Sequence, residues 1–320
     1  MEHYMIPREL EGNDSYLFLL KELEKVDEKI LEPLTGTDWP RDMPVITGGG
    51  ITESIATMDV TYASTGMDDD NIFFEAANDI PVIQADLSKQ VARTISFVEY
   101  MSIGYIEEAK MREIGRDPMT FLNKGIRLHC DKVIDRNVYV GFRKTASTGL
   151  CNNPNITRSS AGRNAANTST EWRDKTADEI LDDINTAISA VWEVNDCSSD
   201  ALPNHILVPV EQFGQLVTRK VSDDSERSIL TYVLENNITA RQGRQLIISP
   251  CKWCSGIGTD SSDRMVVYMN QVDRICFNLT QPLRRFTPEN TKLSVRIPYF
   301  AQFSEVRFLY PTTVRYMDGI

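Results

Sequence analysis

A chain of 320 residues with 41% hydrophobic and 25% charged residues can bury a substantial core in one large domain or two smaller ones, which excludes a largely disordered polymer. No apolar run reaches the roughly 18 residues that a membrane helix requires. The net charge of −12 is uneven: residues 1–90 carry 19 Asp and Glu against 6 Lys and Arg, a net of −13, leaving +1 for the rest, and such an acidic front repels phosphate backbones and argues against a dedicated nucleic-acid-binding domain.

Residues 1–14 are polar and acidic where a secretory signal is basic and then apolar, so synthesis in the cytoplasm without export is expected. Residues 15–31 form an amphipathic helix with Leu17, Leu20, Leu23, Val26 and Ile30 on one side, a face suited to a neighbouring chain. Pro33, Gly36, Pro40 and Pro44 make 32–44 an extended connector. Gly48, Gly49 and Gly50 read as a flexible turn and not as a phosphate cradle, because no Lys-Ser/Thr pair follows. Asp68, Asp69 and Asp70 are consecutive, so their side chains do not converge on one ion and read as a solvated turn.

Residues 80–101 carry the β-branched and aromatic bias of strands and are expected to form two strands about a polar turn at 87–90. A long hairpin of this kind asks for a partner chain. A helix over 103–115 follows, then a longer one. Asp117 is its N-cap, Pro118 suits its first turn, and Leu122, Ile126, Cys130, Val133 and Ile134 form its apolar stripe, with an end near Gly141. Gly125 within it is expected to permit close packing, and His129 reads as packed or solvated.

Residues 157–172, rich in Ser, Thr and Asn, are the best internal boundary. Thr176 and Glu179 make a capping box for a helix carrying Ile180, Leu181, Ile184, Ala187, Ile188 and Val191. A compact α/β unit follows: strands at 205–210, 245–249 and 264–269, helices at 211–218 and 228–236, and a strand at 274–277 extending the sheet. Gln281–Arg285 reads as a basic turn. Residues 292–320 alternate as paired strands expected to return beside the long helix, so the first substructure is discontinuous.

The six cysteines are expected as reduced thiols. Cys251 and Cys254 have CxxC spacing, but no second CxxC or His pair completes a zinc quartet and no helix opens there, so a plain loop is expected and no metal or cofactor is assigned. A Walker loop, GxGxxG, GxSxG and HExxH are all missing, so no catalytic residues are assigned. The elements are parts for building contacts.

One run, Gly149 to Ile156 (GLCNNPNI), resembles the loop that follows the spine helix in tailed-phage major capsid proteins with the Hong Kong 97 (HK97-like) shell fold. So do IGYIEEA from Ile103, GRDPM from Gly115, RMVVYMN from Arg264, PLRR from Pro282 and YPTTVRYMDGI from Tyr310. In order they cover about residues 75–320, with Cys151 and Asn153 standing where the family often has Leu or Met and His. The resemblance implies an α+β capsid fold: an N-terminal arm (1–75), an extended β-hairpin loop (76–102), a peripheral domain with the spine helix (103–172 and 281–320) and an α/β axial domain (173–280). It implies a non-enzymatic shell subunit of the virion, assembled in the host cytoplasm into pentamers and hexamers that enclose double-stranded DNA without reading it. Scaffold, portal and decoration proteins are further partners such a role admits; no membrane is involved. Assembly contacts fall to Lys89, Gln90 and Val91 in the hairpin, Leu17, Leu20 and Leu23 in the arm, and Asn152, Asn153 and Pro154 in the loop. The alternatives are an encapsulin-like compartment and, from another class, a soluble α/β enzyme built on 176–280.

Overall fold

The computed structural model describes residues 36–64, 82–113, 117–222 and 226–320. The expected helix at 15–31, with Leu17, Leu20 and Leu23, and the Asp68 to Asp70 run lie outside that set. The end of the connector is not extended: Trp39–Asp42 forms a one-turn helix, α1, with Pro40 in its first turn, where no intrahelical N–H bond is lost. Asp42 and Met43 are buried, and Asp42 accepts from the Arg41 guanidinium at 2.6 Å and from the Tyr139 hydroxyl. After β1 (Val45–Thr47), Gly48, Gly49 and Gly50 turn the chain at φ +108°, +105° and +71°, a region that favours glycine.

β2 (Ser54–Ser64) and β3 (Ile83–Gly104) form a long antiparallel ribbon, in register from Ser54 opposite Arg93 to Ser64 opposite Ile83. This corrects the expected turn at 87–90. β3 runs unbroken through it, and Lys89 lies mid-strand opposite Met58. Asp86, Ser88 and Gln90 looked like turn residues, yet they alternate with Ala85, Leu87 and Val91, and that alternation marks the two faces of one strand.

α2 (Tyr105–Glu113) has no buried residue. α3 (Pro118–Tyr139) is capped by Asp117, whose carboxylate accepts from Met119 N–H at 3.1 Å and the Thr120 hydroxyl at 2.8 Å. Its Ile126, Cys130, Ile134 and Val138 are buried, but Leu122 at the start of the stripe is exposed. A Cβ at Gly125 would meet nothing within 4 Å, so this glycine does not serve close packing.

β4 (Arg158–Ser160) leads to α4 (Ala177–Val194), which has the expected capping box between Thr176 and Glu179. Burial of Ile180, Ile184, Ile188 and Val191 contributes about 1.5–3 kcal/mol per side chain to the α/β core. β5 (His205–Val208), α5 (Val210–Thr218), α6 (Ile229–Asn236), β6 (Ile247–Pro250) and β7 (Arg264–Tyr268) complete the unit within a residue or two of expectation, and a short helix that the sequence did not indicate, α7 (Ile238–Arg241), lies between α6 and β6.

The remaining strands bring three corrections. β8 (Ile275–Leu279) does not extend that sheet; it pairs in parallel with β1 and antiparallel with β12 (Arg307–Phe308). β9 (Gln281–Arg285) is an edge strand and not a turn, paired among the described residues only to β11 (Ser294–Ser304), which also takes β10 (Glu289–Thr291). Pro282 suits such an edge, and Leu283 is half-buried against the core. β11 pairs β3 beside α3, as expected of a returning tail, but β13 (Val314–Asp318) enters the α/β sheet in the order β4-β13-β7-β5-β6. Alternation specifies strands; it carries no information about which sheet receives them.

Candidate assembly surface

Opposed residues of an antiparallel pair share a face. One face of the β2–β3 ribbon therefore carries Ala56, Met58, Val60 and Tyr62 with Val91, Lys89, Leu87 and Ala85, and Ile83 extends it. The other carries Thr57, Asp59 and Thr61 with Gln90, Ser88 and Asp86. The ribbon is amphipathic, and its apolar face is open: Tyr62 and Leu87 are each 73% exposed. Along β3 the same alternating set continues through Ile95, Phe97, Met101 and Ile103. There it is covered, Phe97 in the cluster of Cys130 and Ile134, Met101 and Ile103 with Ile126, Ile297 and Tyr299. α3 thus covers the root half of one apolar stripe and leaves the outer half bare. His129 joins the covered half, bonded through Nδ1 to Glu99 at 2.8 Å and edge-on to Phe97.

The root is fixed by polar side chains. Buried Gln302 in β11 bonds both backbone polar groups of Thr52, and the Thr94 hydroxyl donates to the Thr52 carbonyl at 2.6 Å. Arg307 donates to Asn278 Oδ1 at 2.9 Å and to the Thr57 hydroxyl.

The Gly149 to Ile156 loop has a different task. The last carbonyls of α3 lack intrahelical donors, and the loop supplies them: Leu150 N–H to Val138 at 2.7 Å, Cys151 N–H to Tyr139 at 2.9 Å, and the Asn152 amide to Val140 at 2.7 Å. Gly149 is required because a Cβ there would stand 2.3 Å from the Tyr139 carbonyl carbon. Asn152 Oδ1 accepts from Gly149 N–H at 2.7 Å, and Asn153 Oδ1 from Asn155 N–H at 2.9 Å. The Tyr316 hydroxyl in β13 donates to the Leu150 carbonyl at 2.7 Å and accepts from Asn153 N–H at 3.1 Å, tying the loop to the α/β sheet. Below it, buried Arg264 donates to Asp318 Oδ1 at 2.6 Å, to Asp318 Oδ2 at 2.8 Å and to the Cys151 carbonyl at 2.8 Å, its guanidinium over the Tyr316 ring.

Of the residues expected to form contacts, Gln90, Val91, Asn153 and Pro154 come together in one cleft, rimmed by Arg307, where the ribbon root meets the capping loop. Lys89 stands on the exposed ribbon beyond it. Sequence reading missed the long apolar set of Met58, Val60, Tyr62, Ile83 and Leu87, because β2 was absorbed into the arm. The alternation at 56–62 was its available signal.

One donor cluster has metal-ligating chemistry. The Cys151, Cys251 and Cys254 sulfurs are buried and all within 4.8 Å of one another, with Cys151 and Cys254 3.6 Å apart. The expected loop at Cys251 is a short 3-10 turn, Lys252–Cys254, and its third partner comes from the capping loop. A hydrogen bond from Cys151, then one from Cys254, draws the Cys251 thiol down to about 5, and donating to Cys251 raises Cys151.

The family model described as major capsid protein matches residues 68–320. No curated protein sequence matches the chain. The capsid of Myoviridae phage XM1 is similar in structure at TM-score 0.75 and 16% identity, over 94% of this chain and 98% of that one. The capsid of the native GTA particle is similar at 0.63 and 10%, over 92% and 94%. Microbacterium phage Oxtober96 is similar at 0.60 and 14%, over 96% and 99%. At these identities the likeness is one of fold.

Proposed function

This chain belongs to the major capsid protein family, as a structural shell subunit and not an enzyme, and from that membership we propose that its amphipathic ribbon is the principal contact between subunits. The observation that carries the reading is the half-covered stripe on β3. An isolated two-stranded ribbon is marginal in water, and this one exposes Met58, Val60, Tyr62, Ile83, Leu87 and Val91 along one face. A neighbouring copy laid against that face removes apolar area worth about 25 cal/mol per Å².

Identical chains in pentamers and hexamers repeat this contact, and many modest interfaces sum to a stable shell through multivalency. In this reading α3 with the β3–β11 sheet is the peripheral part, and the unit from α4 to β7 together with β13 is the axial part. The cleft of Gln90, Val91, Asn153 and Pro154 receives a second segment of a neighbour. The shell encloses double-stranded DNA in the virion, and the net charge of −12 favours weak contact with it.

Negative-stain microscopy and sedimentation of the purified chain test the proposal. Wild type is expected to give shells or capsomer rings. Leu87→Asp and Tyr62→Asp are expected to keep the wild-type circular dichroism and remain small, while Ser88→Asp on the polar face assembles. Shells of Leu87→Asp at wild-type yield would remove the ribbon from the interface.

A further inference from the structure

We propose that Cys151, Cys251 and Cys254 form a binding site for a thiophilic d10 cation, with Zn²⁺ as the ion of that class. The three thiols arrive from two segments far apart in the chain, the loop that caps α3 and the turn after β6, and they are the sole group of three or more such donors among the described residues. A zinc–thiolate bond is about 2.3 Å, so two thiolates on one tetrahedral zinc stand about 3.8 Å apart. The 3.6 Å between Cys151 and Cys254, and the 4.8 Å limit on every pair, place the sulfurs around such a centre with little movement.

The surroundings fit an anionic centre. Arg264 reaches the Cys151 carbonyl and fixes the position of that ligand. No fourth His, Cys, Asp or Glu donor joins the group among the described residues, so the three thiols are the protein ligands that would hold the ion. A cation held here staples the capping loop of α3 to the turn that leaves the α/β sheet, and metal-binding energy then becomes folding energy.

Elemental analysis tests this on the full chain purified without added metal and dialysed against chelator, then incubated with zinc and dialysed again. About one tightly held zinc per chain is expected, released by an organomercurial that titrates thiols, with a rise in melting temperature over the metal-free protein. Cys254→Ser and Cys151→Ser are expected to lose zinc affinity tenfold or more, whereas Cys197→Ser, at an exposed cysteine, retains it. Because a serine variant could fail to fold, mass spectrometry of the unreduced wild-type chain is the second measurement. Six free thiols with no retained zinc overturn the proposal, and so does a Cys151–Cys254 disulfide, which would make the cluster a redox staple.

Discussion

Gln302 and Thr52, 250 residues apart in sequence, satisfy each other twice: Gln302 Oε1 accepts from the Thr52 N–H at 3.0 Å, and Gln302 Nε2 donates to the Thr52 carbonyl at 2.8 Å. Thr52 stands just before β2, so this pair fixes where the ribbon leaves the body. Gln302→Leu leaves the Thr52 N–H without its partner, at a cost of about 1–3 kcal/mol. The expected outcome is a lower urea midpoint in the unassembled chain and faster amide exchange across 54–63. Unchanged exchange there would show that the pair does not hold the ribbon.

Two glycines near α3 give opposite expectations. Gly149→Ala drives a Cβ into the backbone of Tyr139 and Val140, so the loop must release the helix end; the expected loss is on the order of 3 kcal/mol. Gly125→Ala places its Cβ in open space on the helix exterior and gains about 1 kcal/mol of helix propensity. Thermal melts of the two variants should move in opposite directions.

The buried Arg264–Asp318 pair predicts an acid transition. Burial pushes the Asp318 carboxyl up, but hydrogen bonds from Arg264 and Thr259 hold it below its ordinary value. A depressed carboxyl stabilises the fold above its unfolded pKa, about 3.9, and that contribution is lost as pH falls through the folded value. Arg264→Met should cost about 3–5 kcal/mol near neutral pH, because it strands a buried carboxylate. The deficit should narrow on acidification, and Arg264→Met with Asp318→Leu should recover much of it. Denaturant titrations across the acid range read all three effects.

Lys89 is the one charge within the apolar set between Ile83 and Val91 on β3. Charge reversal by Lys89→Glu is expected to leave the circular dichroism and melting temperature of the unassembled chain unchanged and to raise the concentration needed for shell formation. Normal assembly of this variant would place Lys89 outside the contact.

The sequence by itself determined the local elements. The Asp117 cap, the 176–179 capping box and the helical spacing of Ile126, Cys130 and Ile134 act within a few residues, so α3 and α4 fall where their side chains place them. The GLCNNPN loop was recognisable as a landmark, but its work of donating to the last carbonyls of α3 was not, since that depends on which backbone folds back on which. Tertiary structure alone decided that β3 runs through the supposed turn, that β8 leaves the α/β sheet while β13 joins it, and that Cys151 meets Cys251 and Cys254. Strand alternation records that a face is apolar and leaves open what covers it. On β3 the cover is α3 for half the stripe, and the other half stays exposed in the single chain.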